Sequence, residues 1–470
     1  MSDKIKKESQ AKKEIDRIAH KTFERGASFL NLSLQSGLRF TGYKLKNFLN
    51  LRSPSVSERE EFLKSQAIFL VKELEKLKGS IMKAGQMLSV YGEHFFPKEV
   101  NSVLKSLQSE SKPIVWKEIE KVLRLQFDQT TLDKIYIDKK PIAAASLGQV
   151  YQGKFLDKKL NLAIKIQYPG VDKAIDSDLK VLKKVLLLSG LVSRNKGFDD
   201  IYKEIKMMLH YEVDYKREFE TLKAYQKAFN NDKRFVIPEV FSDFSSRRVL
   251  CMTYEEGFSL DSPQVLNLSQ ERRNKLAISF LDLFLKEVFV LRTVQTDPHF
   301  GNYKVRLSSY DDKEDQVVLL DFGAVRKFSK KYISSFAQLI FSCLQKNHDL
   351  CVTSGKSLGF LYEDDPQEAL DLFTEICFEV TEGFNEEFSS EEGKNFSIGK
   401  YPYDWKRTDL IERLTEKAKG AIFTFKLRPP PREAVFLDRK LVGTYTILRN
   451  LGFLYGPRKL LMKYIEPYCS

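Results

Sequence analysis

The sequence has few cysteines and histidines, and it lacks the spacings that mark a disulfide-bonded secreted protein or a zinc protein. Its five cysteines are Cys251, Cys343, Cys351, Cys377 and Cys469, and they form no CxxC pair and no regular spacing. This pattern predicts reduced, mostly buried thiols and excludes a disulfide framework. The five histidines are equally scattered, so the spacing indicates no zinc site with His and Cys ligands.

Long apolar runs are also missing, since no stretch approaches the roughly 18 residues of a membrane-spanning helix. The most apolar segment, residues 278–291, is interrupted by Asp282, Lys286 and Glu287, and we predict that it is a buried helix. The N-terminus lacks the apolar core of a secretory signal, and four acidic residues among the first sixteen argue against a transit peptide. We expect a cytoplasmic chain, with peripheral attachment to a membrane as an open alternative.

What the sequence does have is positive charge, +13 overall, with twelve Lys/Arg against five Asp/Glu in residues 1–52. A basic surface attracts phosphate-rich partners, either nucleic acid or anionic lipid. The aromatic platforms and RNP-type signatures of nucleic-acid binders are absent, so we expect no nucleic-acid partner. Residues 19–49 alternate apolar and basic positions at helical spacing, which predicts a basic amphipathic helix. Packing on the rest of the protein and docking on a membrane surface both explain it.

At 470 residues the chain is too long for one compact core. We predict a basic tail at 1–18, a helical extension at 19–140, a mixed lobe of strands and helices at 141–257, and a larger helical lobe at 258–470. The predicted fold class is therefore α+β with two lobes and an N-terminal helical extension.

Phosphoryl transfer from ATP requires a backbone cradle for the phosphates, a lysine that contacts them, metal ligands, and a group that orients the acceptor. The predicted cradle has small residues between two strand-like segments. Its members are Ala143, Ala144, Ala145, Ser146, Leu147, Gly148, Gln149 and Val150. Small side chains let backbone N–H groups approach phosphate oxygens, although a tight hairpin explains the same composition. Met252 and Tyr254, on the short apolar segment 249–254, are further predicted nucleotide contacts.

Lys165 is the candidate phosphate-binding lysine, because it lies between Ile164 and Ile166 on an apolar strand and must point to the opposite face. An exposed strand lysine is the alternative. Glu218, on a predicted helix, is the candidate partner for its ammonium group.

The most specific pattern is the segment Asp297-Pro298-His299-Phe300-Gly301-Asn302. Asn302 follows Asp297 at the spacing of the catalytic aspartate and metal-binding asparagine in kinase loops. A second aspartate, Asp321, ends an apolar strand and precedes Phe322-Gly323, which suits a magnesium ligand. We predict that Asp297 is catalytic and that Asn302 and Asp321 hold Mg²⁺, with ATP as the nucleotide. A simple strand-ending turn is the alternative for Asp321. His299 is predicted to order the loop.

With these motifs, residues 62–460 resemble the UbiB (AarF-type) atypical kinases. The family's KxGQ motif is matched by Lys83-Ala84-Gly85-Gln86, and its ExD motif by Glu212-Val213-Asp214. The Ala-rich loop, Asp321-Phe322-Gly323 and the segment 436–441 are similar too. The resemblance implies a protein-kinase-like fold whose N-terminal extension crosses the active site. It also implies that Lys83 and Gln86, with Glu212 and Asp214, regulate access to that site.

The resemblance further implies ATP binding and ATPase activity, in a membrane-associated setting of isoprenoid-lipid metabolism such as ubiquinone biosynthesis. Anionic lipid, an isoprenoid, or proteins of a lipid-biosynthesis complex are the implied partners. The sequence departs from the family's common pattern at Gln295-Thr296 and Phe300, and no Ala-Pro-Glu follows Gly323. The last departure weakens the alternative of a protein kinase that phosphorylates a partner. A non-catalytic nucleotide-binding scaffold is a second alternative.

Overall fold

The computed structural model describes residues 55–77, 80–91, 113–189, 191–192, 196–309, 315–384, 403–425 and 431–469, with the single residues 38 and 41. The predicted basic tail and, apart from those two residues, the predicted amphipathic helix at 19–49 lie outside this described part. The chain divides into two compact units, Met1–Glu220 with Glu239–Tyr254 and Thr221–Pro238 with Glu255–Ser470. The finer domain limits given above stay predictions.

The first unit combines helices with one sheet. In chain order its elements are α1 (Val56–Leu77), α2 (Ser80–Tyr91), α3 (Trp116–Gln126), α4 (Gln129–Leu132), β1 (Ile135–Ala144), β2 (Gly148–Phe155), β3 (Asn161–Gln167), α5 (Val171–Leu188), α6 (Lys196–Glu212), the start of α7 (Tyr215–Phe229), and β5 (Val249–Thr253), which follows the β4 strand of the second unit.

The sheet has the order β1-β2-β3-β5 with every neighbouring pair antiparallel. Alternate residues of β3 are buried, with Leu162, Ile164 and Ile166 at most 1% exposed, because side chains alternate between the two faces of a strand. The intervening residues Ala163 and Lys165 therefore share the opposite face. This confirms the predicted orientation of Lys165.

Helices α2, α5 and α6 pack together in the first unit. The buried residues of α5 include Ile175, Leu179, Leu182 and Leu186, whose spacing of three and four places them on one face. The Ser80 hydroxyl at the start of α2 donates a hydrogen bond to the buried Asp178 carboxylate of α5. This contact anchors the helix that carries the KxGQ residues.

The second unit is mainly helical. Its elements are the end of α7, β4 (Phe235–Val236), α8 (Pro263–Leu266), α9 (Gln270–Leu285), a π-helical segment (Lys286–Leu291), β6 (Thr293–Gln295), β7 (Tyr303–Arg306), β8 (Gln316–Leu319), β9 (Val325–Lys327), α10 (Lys330–Leu344), α11 (His348–Leu358), α12 (Gln367–Val380), α13 (Leu410–Phe425), α14 (Arg432–Leu451) and α15 (Arg458–Ile465).

Helix α9 lies in the core of this unit and packs on α14. Its charged residue Asp282 is 5% exposed, and Glu287 in the following π-helical segment is fully buried. Asp282 accepts a hydrogen bond from the Tyr464 hydroxyl at 2.7 Å and pairs with Arg234 at 2.5 Å, which satisfies the buried carboxylate. The prediction that 278–291 is buried inside the protein is confirmed.

A sheet-containing first unit and a mainly helical second unit confirm the predicted α+β class. Within the part of the chain that the structure describes, no helix is both long enough and apolar enough to cross a membrane. The cysteines are all free thiols, three of them buried and two partly exposed, in agreement with the prediction.

Candidate active site

In the first unit, the structure brings together Lys165 and Glu218. The Lys165 Nζ atom lies 2.9 Å from both carboxylate oxygens of Glu218. The Glu218 side chain is 1% exposed and that of Lys165 is 17% exposed, so the lysine tip is reached from outside while its partner is not. A buried carboxylate of this kind fixes the position of the ammonium group.

Helix α7 positions this pair through two residues near its start. Asp214 precedes the helix and accepts a hydrogen bond from the Arg217 N–H at 3.1 Å, which is the role of an N-cap residue. Tyr215 lies one turn before Glu218, and its ring centroid is 5.1 Å from Lys165 Nζ. Tyr215 was not predicted from the sequence, although its spacing of three from Glu218 on one helix was a usable signal.

Two of the predicted nucleotide contacts, Val150 and Met252, share the sheet face of Lys165. Lys165 pairs in register with Val150 on β2 and with Leu250 on β5, and paired residues point to the same side. Ala163 pairs with Met252, which places both on that face as well. Tyr254 follows β5, and its N–H donates to the carbonyl of Asn161 at 2.9 Å.

The predicted cradle is the hairpin between β1 and β2. Ala143 and Ala144 lie at the end of β1, and the turn consists of Ala145, Ser146 and Leu147 before Gly148 opens β2. The Ala145 N–H donates to the Gly148 carbonyl at 2.9 Å, and the Tyr168 hydroxyl donates to the Ala145 carbonyl at 3.0 Å. A Cβ atom on Gly148 would lie 2.6 Å from the Ile166 carbonyl oxygen, so only glycine fits there.

Gln149 has its side chain committed inside the protein. It is fully buried, and its amide accepts from the Ile114 N–H at 2.7 Å while donating to the Ile114 carbonyl and the Tyr151 hydroxyl. These contacts tie the hairpin to the segment before α3. Any contact of Gln149 with a nucleotide therefore has to come from its backbone.

The KxGQ and ExD residues meet between α2 and α6. Lys83 Nζ lies 2.5 Å from Glu212 Oε1, and both side chains are about a quarter exposed at 22% and 26%. Gln86 lies on the same helix and is partly buried. Asp214, the second acidic residue of the motif, is the N-cap of α7. The structure thus joins α2 to the ExD segment by an ion pair that water can reach.

In the second unit, two strand ladders hold the predicted catalytic and metal-binding loops side by side. Strand β6 leads into residues 296–302, from which β7 continues, and β8 leads into residues 320–324, from which β9 continues. Because β6 pairs with β9 and β7 pairs with β8, both loops are tied at both ends. The same backbone bonding continues into the loops, with Leu320 N–H donating to the Asn302 carbonyl at 3.0 Å.

This arrangement brings Asn302 and Asp321 to one edge. Asn302 Nδ2 donates to the backbone carbonyl of Asp297 at 2.8 Å, so its Oδ1 atom is the one that can bind a cation. Asp321 Oδ1 accepts from the Gly323 N–H at 2.8 Å. His299 Nδ1 accepts from the Gly301 N–H at 3.0 Å, which is the loop-ordering contact expected of it.

Arg439 contacts the carboxylate of Asp297, a contact that was not predicted from the sequence. Its Nη2 atom lies 2.9 Å from Asp297 Oδ1, and the two side chains are 29% and 33% exposed. Arg439 belongs to the segment 436–441 that resembles the family, which was the available signal. The contact orients Asp297 from the side of α14.

A buried polar network lies beneath the same loop. Lys440 Nζ is 2.9 Å from Glu287 Oε2, with both side chains at most 3% exposed, and 3.1 Å from the Tyr303 hydroxyl. Burial alone would lower the pKa of Lys440, but the neighbouring Glu287 and Tyr303 raise it above its ordinary value. The Tyr303 hydroxyl donates to Gln295 Oε1 at 3.3 Å, and Gln295 Nε2 donates to the Asp297 carbonyl at 2.7 Å. The network therefore reaches the backbone of Asp297.

Gly443 on α14 allows the helix to pass close to the catalytic loop. A Cβ atom there would lie 2.2 Å from Pro298 Cβ and 2.3 Å from Pro298 Cγ. We expect Gly443→Ala to displace Pro298 and with it Asp297, lowering ATP turnover by up to about 10²-fold at a stability cost of about 1–3 kcal/mol. Steady-state ATPase assays and urea unfolding measure the two effects.

The matched control is Thr446→Ala on the exposed face of the same helix, which should leave turnover within about twofold because surface changes are mild. Full activity of Gly443→Ala would contradict the tight approach of α14 to Pro298.

Comparison with known proteins identifies the family of this chain. The model of the ABC1 atypical kinase-like domain matches residues 106–354, just over half of the chain. The zebrafish (Danio rerio) atypical kinase COQ8B, mitochondrial, is 29% identical over 419 residues, covering 89% of this chain and 63% of that protein. The Saccharomyces cerevisiae atypical kinase COQ8, mitochondrial, is 28% identical over 384 residues, covering 82% of this chain and 73% of that protein.

A solved structure is also similar, that of Mycobacterium tuberculosis Rv3197 in its complex with erythromycin. It matches with a TM-score of 0.57 at 21% identity, covering 87% of this chain and 98% of that one. At this identity the likeness speaks to the fold alone, and it supports the predicted kinase-like architecture. The family resemblance expected from the motifs is confirmed by the relatives, and this chain belongs to the ABC1 family of atypical kinases, which includes the COQ8 proteins.

Proposed function

We propose that this chain binds ATP with Mg²⁺ and either hydrolyses it or transfers its γ-phosphoryl group to a small isoprenoid-type acceptor at a membrane surface. The observation that carries the proposal is the pairing of the two loops in the second unit. They set Asn302 and Asp321 next to each other, with Asp297 five residues before Asn302. The names of the relatives, atypical kinases of the COQ8 group, support the same reading.

The donor set of these loops fits Mg²⁺. The Asn302 amide oxygen and the Asp321 carboxylate are hard oxygen ligands, which Mg²⁺ prefers, and it usually completes its octahedron with water and substrate phosphates. When bound, the ion would neutralise charge on the phosphate oxygens. Asn302 and Asp321 would hold it.

The other residues act by position and charge. Lys165, held by Glu218, would contact the phosphates, while the backbone of the hairpin 143–150 would approach them. Asp297 would orient the attacking water or acceptor hydroxyl, with Arg439 keeping its carboxylate in place. Fixed charges of this kind stabilise charge that develops in the transition state.

We assign the Lys83–Glu212 pair a restrictive role. The pair joins α2 to the ExD segment, two residues before the N-cap of the helix that carries Glu218. Gln86 follows Lys83 by three residues on α2, and Asp214 follows Glu212 by two. Such a tether limits which acceptors reach the nucleotide, and it favours a small acceptor or water over a protein side chain.

The membrane setting rests on the basic, amphipathic character of residues 19–49. Leu38, one of the two described residues in this range, is 70% exposed. Helices of this composition bind anionic lipid surfaces by combined charge and apolar burial. The cytoplasmic location expected from the sequence stays a prediction, whereas the zebrafish and yeast relatives are mitochondrial by name.

The test is ATP turnover by the full chain, with vesicles of neutral lipid or of neutral lipid plus an anionic phospholipid. We expect anionic vesicles to bind the protein in co-sedimentation and to raise turnover severalfold, with both effects weakened by salt because the Debye length shortens. Labelled γ-phosphate should appear as inorganic phosphate, or on an added isoprenoid phenol.

A variant with Lys21, Arg25, Arg39, Lys44 and Lys46 changed to Gln should lose the vesicle effect and keep basal turnover. The matched control should respond to vesicles like the wild type. It changes five exposed lysines of the first unit to Gln, namely Lys134, Lys139, Lys140, Lys158 and Lys159. Equal vesicle binding by both variants would contradict the membrane assignment. If the labelled phosphate appears on a protein, and neither as inorganic phosphate nor on the phenol, the chain acts as a protein kinase.

A further inference from the structure

Three cysteines that are far apart in the sequence come together in the second unit. The Sγ atoms of Cys343, Cys351 and Cys377 all lie within 4.8 Å of one another. Cys343 and Cys351 are 2% and 0% exposed, while Cys377 is partly exposed. None of the three belongs to the loops or helices that carry the proposed phosphoryl-transfer residues.

Three helices deliver the thiols to one point. Cys343 lies in the last turn of α10, Cys351 in the first turn of α11, and Cys377 in the last turn of α12. Asn347 caps α11 by accepting the Leu350 N–H at 3.0 Å. Cys351 therefore lies in the turn at the positive end of the α11 dipole, an environment that favours a thiolate.

The surroundings of the cluster are apolar. Cys343 and Cys351 share a buried cluster with Leu339 and Leu358. Partly buried aromatic rings pack around it, namely Tyr332, Phe336, Phe360, Phe373 and Phe378. These rings exclude water, which leaves the partly exposed Cys377 as the side from which a small ion could enter.

We propose that Cys343, Cys351 and Cys377 form a binding site for a soft, thiophilic cation, with Cu(I) as the ion that fits best. Three sulfurs at about 2.3 Å from a central ion would lie about 4.0 Å apart, which is compatible with the observed limit of 4.8 Å. Soft thiolate ligands select Cu(I) and Zn²⁺ over hard cations. This site goes beyond the proposed phosphoryl transfer and does not depend on it.

The number of ligands decides between the two soft ions. Structural Zn²⁺ sites are almost always four-coordinate, and within the described residues the cluster of His, Cys, Asp and Glu side chains has three members. Three sulfurs complete the trigonal coordination that Cu(I) accepts. The site therefore favours the monovalent ion.

Hydrogen bonds from the Cys343 and Cys377 thiols hold the pKa of Cys351 well below its usual range, with smaller help from the Thr374 and Ser342 hydroxyls. The pKa of Cys343 is raised, chiefly by its hydrogen bond with Cys351. Binding of a cation by the three sulfurs would release thiol protons to solvent.

The experiment is an anaerobic titration of the reduced full chain with Cu(I), in competition with the chromophoric Cu(I) chelator bicinchoninate. We expect one equivalent to be withdrawn from the chelator and the thermal unfolding midpoint to rise with added Cu(I), since an ion that binds only the folded state stabilises it. Cys377→Ser should weaken binding at least about 100-fold, because loss of a ligand costs no less than loss of an outer-shell partner.

Cys469→Ser is the matched control, since Cys469 is the other partly exposed cysteine and lies in the same unit. It should bind Cu(I) like the wild type. The proposal would be overturned if Cys377→Ser and Cys469→Ser bound Cu(I) with equal affinity, or if the wild type withdrew no Cu(I) from the chelator. Either result would mean that the three thiols only fill the core. Tight binding of Zn²⁺ with no competition by Cu(I) would overturn it as well.

Discussion

Asp321→Asn should lower ATP turnover by at least about 10³-fold, the range in which loss of one charge-stabilising part reduces phosphoryl transfer. The substitution keeps the size of the side chain, and its amide oxygen can still accept the Gly323 N–H that Asp321 Oδ1 accepts at 2.8 Å. Only the negative charge at the proposed metal site is lost. A 10³-fold loss corresponds to about 4 kcal/mol of transition-state stabilisation.

Steady-state turnover as a function of Mg²⁺ concentration measures this effect, and urea unfolding checks that the fold persists. The matched control is Asp364→Asn, an exposed carboxylate of the same unit in the loop between α11 and α12, which should stay within about twofold. Unchanged turnover in Asp321→Asn, with the protein folded, would remove the proposed mechanism. A shifted Mg²⁺ optimum with retained maximal rate would assign Asp321 to metal affinity alone.

The features predicted well from the sequence are those carried by contiguous residues. The spacing of Asp297 and Asn302 places both on one loop, whatever the rest of the chain does. The alternation along β3 determines which way Lys165 points, because successive strand residues face opposite sides. Glu218, on a predicted helix, was predicted as its partner, and the 2.9 Å contact between Lys165 Nζ and Glu218 Oε1 joins residues 53 positions apart.

Contacts between distant segments were harder to predict. Arg439 lies 142 residues from Asp297, and no local pattern links an arginine on a late helix to one carboxylate in an earlier loop. The three clustered thiols are separated by eight and twenty-six residues, a spacing that matches no metal motif because three different helices supply them. Gln149 sits among small residues like a loop member, whereas its partner Ile114 lies in an irregular segment without periodicity.

Lys440 is a case in which the sequence held an unused signal. The buried residues of α14 include Phe436, Lys440, Thr444 and Leu448, whose spacing of four defines one face of the helix. A lysine on the apolar face of a helix needs an internal anion, since an unpaired buried charge is very costly. That requirement predicts a buried carboxylate opposite Lys440, and Glu287 meets it.

Lys440→Met should destabilise the protein by about 3–5 kcal/mol, the cost of removing one partner of a buried ion pair. Methionine fills a similar volume, so the loss comes mainly from the Glu287 carboxylate, which is fully buried and would keep no cation beside it. Tyr303 would also lose the ammonium group 3.1 Å from its hydroxyl. Urea unfolding of the full chain gives the change in the free energy of unfolding.

Two further variants separate the charge effect from packing. Adding Glu287→Gln to Lys440→Met should recover more than about 1 kcal/mol of the loss, because the uncompensated charge is then gone. Lys459→Met, at an exposed position of α15, should change stability by no more than about 0.5 kcal/mol. Equal destabilisation with and without Glu287→Gln would show that packing, and not the buried charge, makes Lys440 necessary.

The pH dependence of Lys440→Met provides an independent check, with a sign that packing loss would not give. Burial is the largest influence on the pKa of Glu287 and raises it, while Lys440 lowers it. Without the lysine, the pKa of Glu287 in the folded protein should therefore be higher still. Folded Lys440→Met then binds a proton that the unfolded chain lacks, so its stability should increase as pH falls toward the ordinary range of a glutamate. The difference in the free energy of unfolding between Lys440→Met and the wild type should therefore be largest at neutral pH and become smaller as the pH is lowered. The network continues through Tyr303 and Gln295 to the Asp297 backbone. ATP turnover of the folded variant should therefore be reduced most at neutral pH, where the loss of stability is also largest.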